Sequence, residues 1–123
     1  MKEGGRMEII FYNMKEYASQ LRMTMEPYIS EHFIEAHYSS SQNLSQGEKS
    51  LKNHLIFYQM QDAPNIIGLD KKQYSFRKVA LCKNNEQGIE AIGNGSDYAL
   101  LLPLNKNKIL SCCHFILKDW IQK

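Results

Sequence analysis

The sequence contains no apolar stretch long enough to span a bilayer, and its start, MKEGGRMEII, lacks the apolar core of a secretory signal. Both absences point to a soluble chain, and the expected location is the cytoplasm. Cysteine is scarce. There are three, an odd number, and Cys112 and Cys113 are adjacent, which is poor geometry for a structural disulfide and fits a reducing compartment. Net charge is small too, +2 with histidine neutral, whereas nucleic-acid binding shows a clustered basic face. Lys106 and Lys108 form a minor cluster that reads as solvated residues at a helix start. No GxGxxG, P-loop or HExxH motif occurs, so an enzyme reading has little to stand on.

What is present describes one globular domain. With 123 residues, 43% hydrophobic and 23% charged, the chain can bury roughly two thirds of the surface its unfolded form exposes. Residues 1–6 read as a loose tail and residues 7–123 as the domain, with no internal repeat or linker.

Periodicity sets the expected elements. MEIIFYN carries Ile9, Ile10, Phe11 and Tyr12 in succession, a run suited to a strand buried on both faces. Met14, Tyr17, Ala18, Leu21 and Met25 recur at helical spacing, and Pro27 is expected to stop that helix. HFIEAHY alternates, as an edge strand does. The polar stretch SSSQNLSQGEKSLKN predicts a loop with a weak helix near Glu48 to Leu51. Leu55 to Tyr58 form a second central strand, and residues 61–76 an irregular connection with one or two helical turns. KVALC is a strand, NNEQGIEAIGNG a helix with glycines suited to a left-handed stop, and YALLLPL the last strand. Ile109, Cys113, Ile116 and Trp120, flanked by Leu110, Leu117 and Ile121, make a closing amphipathic helix. Such alternation predicts an α/β fold whose parallel sheet is covered on both faces.

Two local patterns carry a resemblance. NHLIFYQMQDAP looks like the third strand and following loop of bacterial response-regulator receiver domains, and IGNGSDYALLLPL looks like their Gly-containing turn, Asp-Tyr strand start and strand-ending proline. The resemblance runs from Met7 to Lys123 and implies a flavodoxin-like, doubly wound, five-stranded parallel sheet of order 2-1-3-4-5. In that family a carboxylate accepts a phosphoryl group beside Mg²⁺ held by hard oxygen ligands. By resemblance the acidic pair falls on Asn13 and Met14, the acceptor on Gln59, the hydroxyl residue on Cys82 or Lys83, and the lysine on Leu102, or Leu101 after a one-residue slip. None of these side chains has the required chemistry, since a glutamine amide cannot form an acyl phosphate and leucine cannot pair with a phosphoryl charge. This is the pattern of a pseudo-receiver: a degenerate phosphoacceptor pocket with no catalytic residue, metal or cofactor. Asp62 could act as a displaced acceptor, and Lys83 could pair with Asp62 or Glu16 and hold the domain in one state.

The family binds partners through its fourth helix, fifth strand and fifth helix. The resemblance therefore implies an interaction surface on Ile89, Ile92, Tyr98, Leu110, Leu117, Lys118 and Ile121, used by a protein partner or in a homodimer. The expected function is phosphorylation-independent signal transduction, as the first domain of a transcriptional regulator whose DNA-binding output domain would follow Lys123. The alternative is a small ligand-binding protein or enzyme using the crevice at the ends of strands one and three, near Asn13, Gln59 and Lys83. Cys82, Cys112, Cys113 and His114 read as core or edge residues rather than a zinc site, because adjacent helical residues point about 100° apart.

Overall fold

The computed structural model describes residues 6–41, 53–67 and 75–121. Nine helices and strands follow one another among them: β1 (Arg6–Tyr12), α1 (Lys15–Glu31), β2 (Glu35–Ser41), β3 (Asn53–Gln59), α2 (Ala63–Ile67), β4 (Ser75–Cys82), α3 (Asn85–Gly93), β5 (Tyr98–Leu101) and α4 (Lys106–Ile121). A single 3₁₀ turn, Met60–Asp62, leads into α2. The strands form one parallel sheet in the order β2-β1-β3-β4-β5. The weak helix expected near Glu48 to Leu51 lies outside the described residues.

Central strands read as unbroken apolar runs because successive side chains serve opposite layers. Leu55 and Phe57 of β3 join Met7, Ile9 and Phe11 of β1 under α1 and α4. Ile56 and Tyr58 join Tyr12, Ala80 and Cys82 on the other face, with Ala63 and Ile66 of α2 and Ala91 of α3. Among the described residues no helix is long and apolar enough to cross a membrane.

Helix ends follow local chemistry. The side chain of Asn84 accepts from Gln87 N–H at 2.9 Å, and that of Asn105 from Lys108 N–H at 2.9 Å, so each satisfies a donor of the first turn of α3 or α4. After α3, Gly95 sits at φ +106° while Ser96 N–H donates to Ala91 O and Gly95 N–H to Ile92 O. This is the Schellman stop that the glycines suggested.

Three expectations about the elements are corrected. Pro27 lies inside α1 and does not end it. Ile29, one turn-half further on, is 2% exposed in the core and holds the last turn in helical register. The helix stops instead through the same Schellman pattern, Ile34 N–H to Ile29 O and Phe33 N–H to Ser30 O, with Phe33 at φ +61° where glycine is usual. Consequently β2 begins at Glu35, and it runs through Ser39 to Ser41, which the sequence assigns to a loop. Finally, Arg6 belongs to β1 rather than a tail; it pairs with Glu35 in register and by a 3.5 Å ion pair.

Candidate functional site

Parallel strands end at a common edge, and the residues at those ends converge. In register, Phe11 faces Phe57, Gln59 faces Leu81, and Leu81 faces Leu100. Asn13, Gln59, Lys83 and Leu102 therefore continue the face that carries Phe11, Phe57, Leu81 and Leu100. This parity separates the members of each pair that the sequence left open. Cys82 is fully buried in the opposite layer, its thiol 3.7 Å from Ala80 O, and Leu101 packs against that same layer. Lys83 and Leu102 are the residues on the site's face.

The polar contacts form a chain across the edge. Gln59 Nε2 donates to the main-chain oxygen of Asn13 at 3.1 Å. Asn13, itself at φ +51°, donates from Nδ2 to the Asp62 carboxylate at 3.2 and 3.5 Å. Short polar side chains tolerate that left-handed backbone better than others do. Beside this chain lies a crevice of about 290 Å³, lined by Gln59, Met60, Gln61, Leu81, Lys83, Gln87, Glu90 and Leu102. Gln87 helps to shape it by accepting from Lys83 N–H at 2.8 Å. Gln87 and Glu90 escape sequence reasoning because α3 brings them in from the side; their three-residue spacing on one helical face is the signal that could have found them.

Several expected roles change. Met14 is 1% exposed in the core under α1, so that position does not reach the crevice. Asp62 is engaged by Asn13, and among the described residues Lys83 forms no ion pair with Asp62 or Glu16. Lys108 is not simply solvated: its ammonium donates to Leu101 O at 3.3 Å and Pro103 O at 3.1 Å, covering exposed carbonyls where edge strand β5 ends. The Leu102–Pro103 peptide is cis.

The expected interaction surface divides in two. On α3, Ile89 is 75% and Ile92 50% exposed. Tyr98 packs at a tilt against Phe115, ring centroids 5.5 Å apart; Phe115 is itself 49% exposed, and Lys118 Nζ lies 5.1 Å above its ring. Phe115 was missed because it falls outside the apolar stripe of α4; an isolated aromatic on the polar side was its only signal. Leu117, by contrast, is buried in the core at 0% exposure and presents nothing to a partner. Leu110 faces α1, beside Met23, Pro27 and Tyr28, and so stands apart from the α3 patch. The side chain of Ile121 lies outside the described residues.

Comparison with solved structures gives the fold a precedent. The fold matches a response regulator from Thermotoga maritima with a TM-score of 0.62 at 12% identity, over 97% of this chain and 99% of that one. It matches a response regulator receiver protein from Burkholderia phymatum with a TM-score of 0.63 at 11% identity, over 90% and 94%. Full-length FixJ from B. japonicum matches with a TM-score of 0.59 at 9% identity, over 97% of this chain but 60% of that longer one. This chain has the receiver-domain fold. No sequence-family model matches it, and no curated protein matches it by sequence.

The divalent cation that the receiver fold implies does not fit these residues. Magnesium takes hard oxygen ligands in strict geometry, including one or two carboxylates. Here the positions expected to be acidic carry an amide and a buried thioether, Gln59 turns an N–H₂ group toward Asn13, and Asp62 already accepts from Asn13.

Proposed function

We propose that this chain is a receiver-like signal-transduction domain that works without phosphorylation, by contact with a protein partner or a second copy of itself. The observation that carries this reading is the hydrogen bond from Gln59 to Asn13 O at the acceptor position. A neutral amide stands where a nucleophilic carboxylate is needed, and it is committed to closing the edge of the sheet. The signalling contact would use the exposed Ile89 and Ile92 of α3 together with Tyr98, Phe115 and Lys118. Apolar groups rimmed by charge are the composition of a docking patch. The reading extends to a role as the leading domain of a transcriptional regulator, with DNA contacted by a separate output domain; the fold of this chain occupies 60% of the longer FixJ chain, which leaves room there for a further part.

Incubation of the protein with Mg²⁺ and a small phosphodonor tests the reading by intact mass. The expected result is no adduct, with or without a hydroxylamine-sensitive step; a stable +80 Da species (about one phosphoryl group) would overturn it. A second reading is favoured by the crevice itself, whose Lys83, Gln87 and Glu90 could orient a small polar ligand. A co-purifying ligand, or saturable nucleotide binding lost in Lys83→Ala, would support that alternative.

A further inference from the structure

The crevice at the carboxyl ends of β3 and β4 carries one charge of each sign. Lys83 and Glu90 are the charged residues that line it, both are exposed, and among the described residues neither forms an ion pair. Burial, and after it the Glu90 charge, raises the Cys82 thiol pKa, so that carboxylate stands near the end of β4. The two amides of the crevice are already oriented. Gln87 gives its Oε1 to Lys83 N–H at 2.8 Å, which leaves Nε2 as a donor. Gln59 gives its Nε2 to Asn13 O at 3.1 Å, which leaves Oε1 as an acceptor.

These groups fall into a donor set, Lys83 and Gln87, and an acceptor set, Glu90 and Gln59. Gln87 and Glu90 share one face of α3 three residues apart, a rise of about 4.5 Å along the helix. A donor and an anion at that spacing suit a ligand whose own anion and cation sit on a single carbon. A phosphate would meet repulsion from Glu90, and a simple amine would meet it from Lys83. Leu81 and Leu102 complete the lining with aliphatic surface. At about 290 Å³ the crevice falls just below the roughly 300–1,000 Å³ usual for drug-sized ligands, which favours a small metabolite over a nucleotide.

We propose that the crevice binds a free α-amino acid with an aliphatic side chain, its carboxylate on Lys83 and Gln87, its ammonium on Glu90 and Gln59 Oε1, and its side chain on Leu81 and Leu102. This gives a ligand class to the reading of the crevice as a binding site and rests on that reading. Because both charged residues are exposed, water competes for each contact, and affinity is expected in the high-micromolar to millimolar range.

Amide NMR of the intact chain, titrated to ~20 mM, tests it across that range. The probes are L-leucine, L-methionine and L-valine, with isocaproate and isoamylamine as leucine lacking its ammonium or its carboxylate, and ATP as a nucleotide. An amino acid should shift the Gln59, Lys83 and Gln87 amides saturably. Isocaproate and isoamylamine should each bind about tenfold or more weakly than leucine, since each forfeits one charge-assisted contact. Lys83→Met should weaken leucine by a similar factor without weakening isoamylamine, and Glu90→Gln should weaken leucine without weakening isocaproate; damage to the fold would weaken both ligands of each pair. No saturable shift with any of the three amino acids, equal binding of leucine and either half-ligand, or shifts that lie away from the crevice would each overturn the proposal. ATP or a half-ligand binding at these amides in place of the amino acids would overturn it while leaving the crevice a ligand site, whereas silence from every probe would count against both.

Discussion

Gln59 and Asn13 are 46 residues apart in sequence, and the side-chain amide of the first donates to the main-chain oxygen of the second at 3.1 Å. A carboxylate at position 59 would set acceptor against acceptor at this contact. The amide therefore completes a bond that an acid at this position could not make when ionised.

Gln59→Glu should lower stability by at most about 1 kcal/mol at neutral pH, the worth of one partly exposed hydrogen bond. A protonated carboxyl can still donate, so the deficit should be small near pH 4 and grow as pH rises through the carboxylate range. Urea unfolding at the two pH values measures it. A larger deficit at the acidic end would contradict the geometry.

Asn13→Asp combined with Gln59→Asp places two new carboxylates beside Asp62, which lies within 3.5 Å of the Asn13 amide. Like charges should lower the melting temperature in EDTA, and Mg²⁺ should restore it. The wild-type chain should melt at the same temperature in either buffer.

Phe33 is 81% exposed and held at φ +61° at the end of α1, so the ring contributes little burial while its backbone is disfavoured. Phe33→Gly should raise stability by a few tenths to about 1 kcal/mol. Gly95→Ala, at φ +106°, should lower it by about 1 kcal/mol. Denaturant midpoints should move in opposite directions with unchanged slopes.

The contrast on α4 and α3 is equally direct. Leu117→Ala should cost about 2–5 kcal/mol, as expected for a fully buried leucine, whereas Ile89→Ala should stay within about 0.5 kcal/mol. Equal effects would restore Leu117 to the surface that the sequence suggested.

Burial pushes the Cys113 thiol up to about 12, and burial together with neighbouring Cys113 pushes Cys112 well above its ordinary value. Both folded values lie above the unfolded value near 9.0. Their stabilising contribution is thus complete below that pH and falls as pH rises above it, that of Cys113 being lost as pH approaches about 12. Urea midpoints should fall across this window. At pH 8 the thiols should also resist iodoacetamide in the native protein and react fully once it is unfolded, because Cys82, Cys112 and Cys113 are all buried.

Much of the fold is written locally. Apolar runs such as Ile9 to Tyr12 and Leu55 to Tyr58 specify strands buried on both faces, because two layers must each be fed by alternate residues of one strand. Their alternation with helical patterns specifies a parallel sheet, and turn chemistry at Gly95 ends α3 where glycine stands. The absence of acids at positions 13, 14 and 59 is likewise plain from the sequence once the strands are laid side by side.

Tertiary structure decided what no local pattern could. Pro27 has the local chemistry of a helix breaker, yet burial of Ile29 carries α1 past it to a stop built on Phe33. The faces of Lys83 and Leu102 follow from sheet register, which sums pairings between strands far apart in the chain. Leu117 turns inward because α1 packs beside α4, while Leu110, seven residues earlier, borders the open groove between them. Apolar periodicity tells which residues share a side of a helix, but only the packing of its neighbours determines which part of that side meets water.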